Sequence, residues 1–434
     1  MLIAKGTVQG QLVESENVET FNIVSKIEVR RIGDSFSICV SDEVNIDNLE
    51  LDIEKLYEYY VDYSHKKISK YISKVAKRAN TEYEILWALW RRWIEAYGVL
   101  TPLLCYDKIT DVYIMESSIQ AEHCEYGLCE VKLFNDDVTY REFVHYLIRR
   151  VAERARCPIT TYMPMMSVTD RELHARFTIS IPPVSEPYIH VRILPRKPWT
   201  LSELVMRDAL TLEEACTLWY LFDLKVPILV IGPMGSGKTS LANAIAFNSD
   251  PATFKAIVAD VDEMNLPGHN VLKLFERRSY GLGVRNIDKS ELIAHSLRTG
   301  VDYVIVNEVR TRSEVSTWID AVTTGHGGVT TFHASDIESL RIRLENMLGS
   351  SKILDEVAVV VMHCENTIRE VGSVRTNVKV RRVKYVKVPK HVKIDEQELA
   401  LRTAALSSMM GLPIRQQLSV LRSFYRSPDK LLVS

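Results

Sequence analysis

The sequence predicts an α/β protein in which a parallel sheet, covered by helices on both faces, carries a phosphate-binding loop. A smaller α+β region and a helical leader precede it. Three observations predict this. The run IGPMGSGKTS places Gly232, Gly237, Lys238 and Thr239 in the spacing G-x-x-x-x-G-K-[ST] directly after an apolar strand and at the start of a helix. From Val226 onward, near-continuous apolar strands alternate with helical stretches, as in a parallel sheet buried on both faces. Finally, glycine and proline divide the chain: ten of the 18 glycines fall between Gly232 and Gly328, and seven of the 15 prolines between Pro158 and Pro198.

In chain order, alternating apolar residues in FNIVSKIEVRRIGDSFSICV predict a hairpin, and helical periodicity follows through Leu49 to Tyr63 and Ile68 to Tyr97. Trp87, Trp90 and Trp93 recur every three residues there, which reads as the buried stripe of a helix and not as a ligand site. From Ile109 to Leu194 short strands alternate with one strong helix, Tyr140 to Arg156. The connector LPRKPWTLSEL leads to a Thr211–Glu214 cap that starts a new helix. The predicted sheet strands are Val226–Ile231, Lys255–Val261, Tyr303–Asn307, Gly328–Phe332 and Val357–His363. The stretch RTNVKVRRVKYVKV alternates valine with basic residues, with a slip at Arg381–Arg382, and reads as a strand with one solvated basic face; contact with an anionic partner or membrane is the alternative. The expected boundaries are a leader over 1–100, an α+β domain over 101–200, the phosphate-loop domain over 201–372, and a carboxy-terminal strand and helical extension over 373–434.

Composition excludes several classes. With 46% hydrophobic and 25% charged residues, the chain has the balance of an ordinary globular protein. Lys+Arg 54 against Asp+Glu 56 provides no bulk positive field for nucleic acid. The seven cysteines are odd in number and never spaced C-x-x-C, arguing against a disulfide framework or zinc knuckle and for a reducing cytosol. The first twenty residues do not read as a signal segment, and no apolar run approaches the ~20 residues of a membrane span, so any membrane role is expected to be peripheral.

In the glycine loop, Gly232 to Ser240 (Gly232, Pro233, Met234, Gly235, Ser236, Gly237, Lys238, Thr239, Ser240), successive N–H groups can converge on phosphate oxygens at a helix N-terminus. Lys238 then reaches the β/γ-phosphates, and the Thr239 hydroxyl holds Mg²⁺. The strand DYVIVNEVR ends in Glu308, the candidate base for a water attacking a bound triphosphate, with Arg310 able to pair with it or approach phosphate. In VADVDEMNLPGHN, Asp260, Asp262 or Glu263 could serve the metal or the water, or could be turn residues. In TGHGGVTTFHAS, His326 and His333 flank a strand; hydrogen bonding or γ-phosphate sensing fits them better than zinc, since no third ligand has suitable spacing.

Taken together, the ordered set GPMGSGKTS, VADVDEMNLPG, DYVIVNEVR and TGHGGVTTFHA resembles the secretion ATPase superfamily of type II/IV secretion, type IV pilus and archaellum motors. The archaeal branch looks closest, because LWRRWIEAYGVLTPLLCYDKITDVYI and YIHVRILPRKPWTLSELV are similar to that branch's amino-terminal domain and connector. The resemblance covers roughly residues 80 to 370. It implies a RecA-like ATPase domain with a PAS-like amino-terminal domain, ATP and Mg²⁺, a homohexameric ring and a cytoplasmic location beside a polytopic membrane platform protein. Cyclic domain closure would then drive filament assembly or secretion, with pilin-like or secreted substrates served indirectly. It also implies that Lys238 and Thr239 are Walker A contacts and Glu308 the Walker B glutamate. Asp260 and the catalytic Glu263 belong to the acidic box, and His326 and His333 to the histidine box. Arg192 reaches the nucleotide from the amino-terminal domain, while Arg298 and Arg310 flank the Walker B strand.

Three positions depart from that pattern: Ala259 stands where a glutamate usually opens the acidic box, Asp262 where a basic residue is common, and Asn307 where glycine precedes the Walker B glutamate. These departures place more of the catalytic burden on Glu308. They keep open a low-turnover regulatory nucleotide-binding subunit, and a related nucleic-acid translocase is the other rival.

Overall fold

The computed structural model describes residues 4–44, 65–79, 81–135, 137–268, 270–277, 285–371 and 374–427. It divides into two compact units, Met1–Leu194 with Ile368–Val378 and Pro195–Thr367 with Lys379–Ser434.

The first unit is built on one nine-stranded sheet in the order β1-β2-β3-β6-β5-β4-β9-β8-β7. Its strands are β1 (Gln11–Thr20), β2 (Ile23–Ile32), β3 (Ser35–Asp42), β4 (Ile109–Met115), β5 (Ile119–His123), β6 (Gly127–Lys132), β7 (Met165–Asp170), β8 (Ala175–Ser180) and β9 (Tyr188–Ile193). The β3–β6 pairing is parallel and the others are antiparallel. Its helices are α1 (His65–Ala79), α2 (Tyr83–Glu95), the short α3 (Thr101–Cys105) and α4 (Asp137–Ala155). The expected hairpin is β2–β3, and β1 extends it to a meander. The single helical run expected over Ile68–Tyr97 is two helices, because Glu82 is extended (φ −66°, ψ 135°) and restarts the chain as α2. The expected helix over Leu49–Tyr63 lies outside the described residues. The tryptophan stripe is core: Trp93 is fully buried, edge-on to Phe143 at 6.0 Å and to Tyr146 at 4.7 Å.

The second unit contains α5 (Leu201–Met206), α6 (Leu212–Asp223), β10 (Ile228–Ile231), α7 (Lys238–Phe247), β11 (Lys255–Ala259), β12 (Val271–Phe275) and α8 (Lys289–Ser296). It continues with β13 (Tyr303–Val306), α9 (Arg312–Thr323), β14 (Val329–Phe332), α10 (Ile337–Leu348), β15 (Ala358–Val371), β16 (Val374–Lys387), α11 (Glu396–Met409) and α12 (Ile414–Arg426). The sheet order is β12-β11-β13-β14-β10-β15-β16, and the pairings from β12 through β15 are parallel. Alternate strand residues enter two separate cores. Ile228, Val230, Ile257 and Ala259 join one with helices α5, α6, α7, α11 and α12; Leu229, Ile231, Ala256 and Val258 join the other with α8, α9 and α10. All five expected strands are present, β15 running on to Val371, and β12 is an edge strand the sequence did not announce.

The Thr211–Glu214 cap is a reciprocal capping box: Glu214 N–H donates to Thr211 Oγ1 at 3.2 Å and Thr211 N–H to Glu214 Oε2 at 2.8 Å. The carboxy-terminal helices belong to this unit's core. Trp219 Nε1 donates to Tyr425 Oη at 2.6 Å, Tyr425 Oη to Asp223 at 2.7 Å, and Arg402 pairs with Asp223 at 2.8 Å. Among the described residues, no helix is long and apolar enough to cross a membrane.

Candidate nucleotide site

The strand order decides which side chains meet. Since β14 lies between β10 and β13, the residue leaving β14 stands between the loop after β10 and the residue leaving β13. Those residues are His333, Lys238 and Glu308, all at the carboxy-terminal edge of a parallel sheet, where ligands of open α/β folds bind.

The loop after β10 needs its glycines. Gly232, Gly235 and Gly237 have φ of 156°, 75° and 87°. A Cβ on Gly232 would lie 2.7 Å from Ser236 Oγ and 2.8 Å from the Met362 carbonyl. Lys238, 7% exposed, donates to the carbonyls of Gly232 (3.1 Å) and Pro233 (2.8 Å) and sits 3.4 Å from His333 Nδ1. Burial lowers its pKa, and the charge of Glu308 opposes that.

His333 Nε2 lies 2.9 Å from Glu308 Oε1. Burial first, then the charge of Lys238, lower the histidine's pKa, so it is neutral at pH 7. One tautomer satisfies both neighbours: Nδ1 accepts from Lys238 and Nε2–H donates to Glu308. Arg310 completes the line, 2.6 Å from Glu308 Oε2 and 3.2 Å from Asp260 Oδ2. Burial would raise the Glu308 pKa, but the Arg310 hydrogen bond and charge, followed by His333 and Lys289, outweigh it and hold the carboxyl below its ordinary range.

Glu308 is also conformationally special, with a left-handed φ of 71°. Asn307 N–H still donates to Val258 on β11 (2.8 Å), and Val309 N–H to Thr331 on β14 (3.0 Å). Glu308 therefore occupies the residue between two ladders, a backbone state costing about 1–3 kcal/mol for a side-chain-bearing residue.

Two observations test whether these residues fit a magnesium nucleotide. Ser236 Oγ is buried with no hydrogen-bond partner among the described residues, inside the loop that would hold phosphate. Thr239 Oγ1 donates to Asn307 Oδ1 at 3.3 Å, bringing two neutral oxygens to one place, one on each side of the cleft between the phosphate loop and the end of β13. Mg²⁺ takes one or two protein oxygens and completes its shell with phosphate and water, so this donor set fits it.

Other expected residues stand elsewhere. His326 is at the opposite, amino-terminal end of β14, where its Nδ1 is 3.3 Å from Thr324 Oγ1, so the structure does not bring it to His333. Asp262 is taken by Lys273 of β12 at 2.7 Å. Arg298, exposed just beyond α8, is not among the side chains around Glu308, and the partly buried Glu263 has its N–H on the Val261 carbonyl. Arg192, in β9 of the first unit, donates to Asp111 Oδ1 at 3.1 Å. Ala259 packs into the apolar core, so no side chain replaces the missing acid there.

Sequence reasoning missed two basic residues. Lys289 lies buried beneath Glu308. Arg381, exposed with Arg382 and Lys384 as expected of a solvated strand face, also lays its Nε on the Gly235 carbonyl at 2.7 Å, with its Cδ 3.4 Å from where a Cβ of Gly237 would be. Spacing could not reveal either contact; only the tertiary approach of β16 to the loop and the burial of α8's first residue do.

A family model described as Type II/IV secretion system protein matches residues 148–415. An uncharacterized protein of Methanocaldococcus jannaschii is 29% identical over 37% of this chain and 60% of its own length. The probable conjugal transfer protein TrbB of Sinorhizobium fredii is 28% identical over 51% of this chain and 70% of its own. The type IV pilus assembly ATPase PilB of Pseudomonas aeruginosa is 33% identical over 32% of this chain and 24% of its own. The chain thus spans less than two thirds of the first of these relatives and about a quarter of PilB.

Proposed function

Because the chain belongs to the type II/IV secretion system protein family, a family of secretion and pilus ATPases, we propose that it is a Mg²⁺-dependent ATPase whose hydrolytic centre is the carboxy-terminal edge of the second unit's sheet. The supporting observation is the line Lys238–His333–Glu308–Arg310–Asp260, with the partnerless Ser236 hydroxyl inside the loop.

In this reading the backbone N–H groups of Gly232–Ser240 and the amino-terminus of α7 cradle the phosphates. Lys238 leaves the carbonyls of Gly232 and Pro233 for the β/γ-phosphates. Thr239 and Asn307 would hold Mg²⁺, which would supply neutralisation of the charge developing on the transferred phosphoryl group. Glu308, ionised at neutral pH, orients the attacking water and accepts its proton. His333 connects the γ-phosphate lysine to that base and so couples the presence of nucleotide to its position. Arg310 and Asp260 hold the glutamate from the far side. Glu263, Ser240 and, from the first unit, Arg192 are proposed as further nucleotide contacts; His326 and Arg298 stand apart from the side chains around Glu308.

At the level of the assembly, the proposed motor is a cytoplasmic homohexamer that closes and opens its two units around ATP, moving a polytopic membrane platform protein. It would thereby drive assembly of a pilus-like or archaellum-type filament, or protein secretion. Phosphate release from ATP and Mg²⁺ tests the hydrolytic core: the native chain should turn over and Lys238→Ala should abolish turnover, whereas unchanged release in that variant would remove the basis of the proposal. Ala259, buried where an acid is expected, favours a second, low-turnover reading. A native rate indistinguishable from background, with ATP still bound, would select it.

A further inference from the structure

Lys289 breaks three local rules at once. Its side chain is 2% exposed, although an ammonium is rarely buried without full compensation. It is the first residue of α8, where the helix dipole disfavours positive charge, and a proper amino-terminal cap, Asp288, already serves that helix end. And its contacts converge on the backbone of one residue: Nζ donates to the Glu308 carbonyl at 2.6 Å, with the Glu314 carboxylate 3.7 Å away.

Glu314 in turn accepts from the N–H groups of Arg310 (2.6 Å) and Thr311 (3.3 Å), so lysine and glutamate together grip three consecutive peptide units after β13. The left-handed φ of Glu308 leaves its carbonyl outside both neighbouring ladders, and a buried carbonyl requires a donor. Lys289 is that donor.

We propose that Lys289 is a positioning residue for hydrolysis: by holding the Glu308 carbonyl it fixes the strained backbone that aims the Glu308 carboxylate at the attacking water. This rests on the reading of Glu308 as the base. The groups facing Glu308 are Lys238 from α7, Asp260 after β11, His333 after β14, Arg310 on its own loop, Glu314 from α9 and Lys289 from α8. Of these, Lys289 reaches the main chain of Glu308, where Arg310 and His333 reach its carboxylate.

The test uses the full chain with ATP and Mg²⁺, comparing the native protein, Lys289→Met, Lys289→Arg and the double variant Lys289→Met/Glu314→Gln, which also removes the partner charge and so guards against a simple folding failure. Lys289→Met and the double variant should lose at least about tenfold in kcat with KM and ATP affinity little changed. Lys289→Arg, which restores a cationic donor to the carbonyl, should recover part of the rate. Native kcat in both methionine-containing variants would overturn the inference, as would a kcat loss matched by an equal loss of ATP affinity. If the native chain itself neither binds nor hydrolyses ATP, the parent reading fails and this one falls with it; a native chain that turns over while the variants match it removes this inference alone.

Discussion

At the residue scale the site is a set of mutually restrained charges. The Glu308 side chain is mostly buried, which alone would favour its protonated form, yet Arg310, His333 and Lys289 keep it ionised. The sign follows directly. A carboxyl held below its ordinary value stays charged down through about pH 4.5, so its stabilising contacts are complete above that value and are lost as pH falls through the folded-state pKa. Activity that depends on the ionised base should therefore persist to mildly acid pH. Arg310→Gln removes the strongest of the groups holding that charge, and the acid limb of its kcat–pH profile should lie at higher pH than the native limb. A coincident limb would show that Arg310 does not set the ionisation of Glu308. His333 behaves oppositely: being held neutral, it connects Lys238 to Glu308 as donor and acceptor and not as a third charge.

At the element scale, what positions these side chains is a loop or strand end in each case, and the helices that follow are capped to hold them. Thr311 and Glu314 form a reciprocal box at the start of α9, immediately after the Glu308 turn. Asp336 does the same with Ser339 at the start of α10, three residues beyond His333. The phosphate loop has less tolerance than either, because at Gly232 both the φ of 156° and the 2.7–2.8 Å approaches of Ser236 Oγ and the Met362 carbonyl exclude a side chain. Gly232→Ala should displace the loop, abolish measurable ATP binding by titration calorimetry and lower the melting temperature by several degrees, given a cost of about 1–3 kcal/mol. Native ATP affinity in this variant would mean the loop is not the phosphate site.

The same scale explains what the sequence made legible. Strands β10, β11, β13 and the Ala358–Met362 part of β15 are near-continuous apolar runs and, with the buried β14, announce themselves; β1, with the mostly exposed run QLVESENVET, and the half-exposed edge strand β12 do not. Lys238, Glu308 and His333 are readable because they end such strands or begin the helix after one. Lys289 reads as an ordinary solvated helix residue, and Arg381 as one cation among many on a basic strand. Only tertiary burial and strand register distinguish them. His326 and His333 flank β14 as expected, and that four-residue strand holds them at its opposite ends, so a shared motif does not put them in one place.

At the scale of the whole molecule, each unit has its own sheet and its own buried core, and the carboxy-terminal helices are part of the second core through Trp219, Asp223, Arg402 and Tyr425. The phosphate loop, the strained glutamate turn and the interposed histidine all rest on the second unit's sheet. The central claim is that Glu308 is the base of an ATP-hydrolysing centre. The most direct test is to measure ATP affinity and steady-state phosphate release side by side for the native chain and Glu308→Gln, which keeps the side chain's size and removes only its charge and basicity. ATP should bind both with similar affinity while release falls by about 100-fold or more in the variant; release at the native rate from Glu308→Gln would contradict the account.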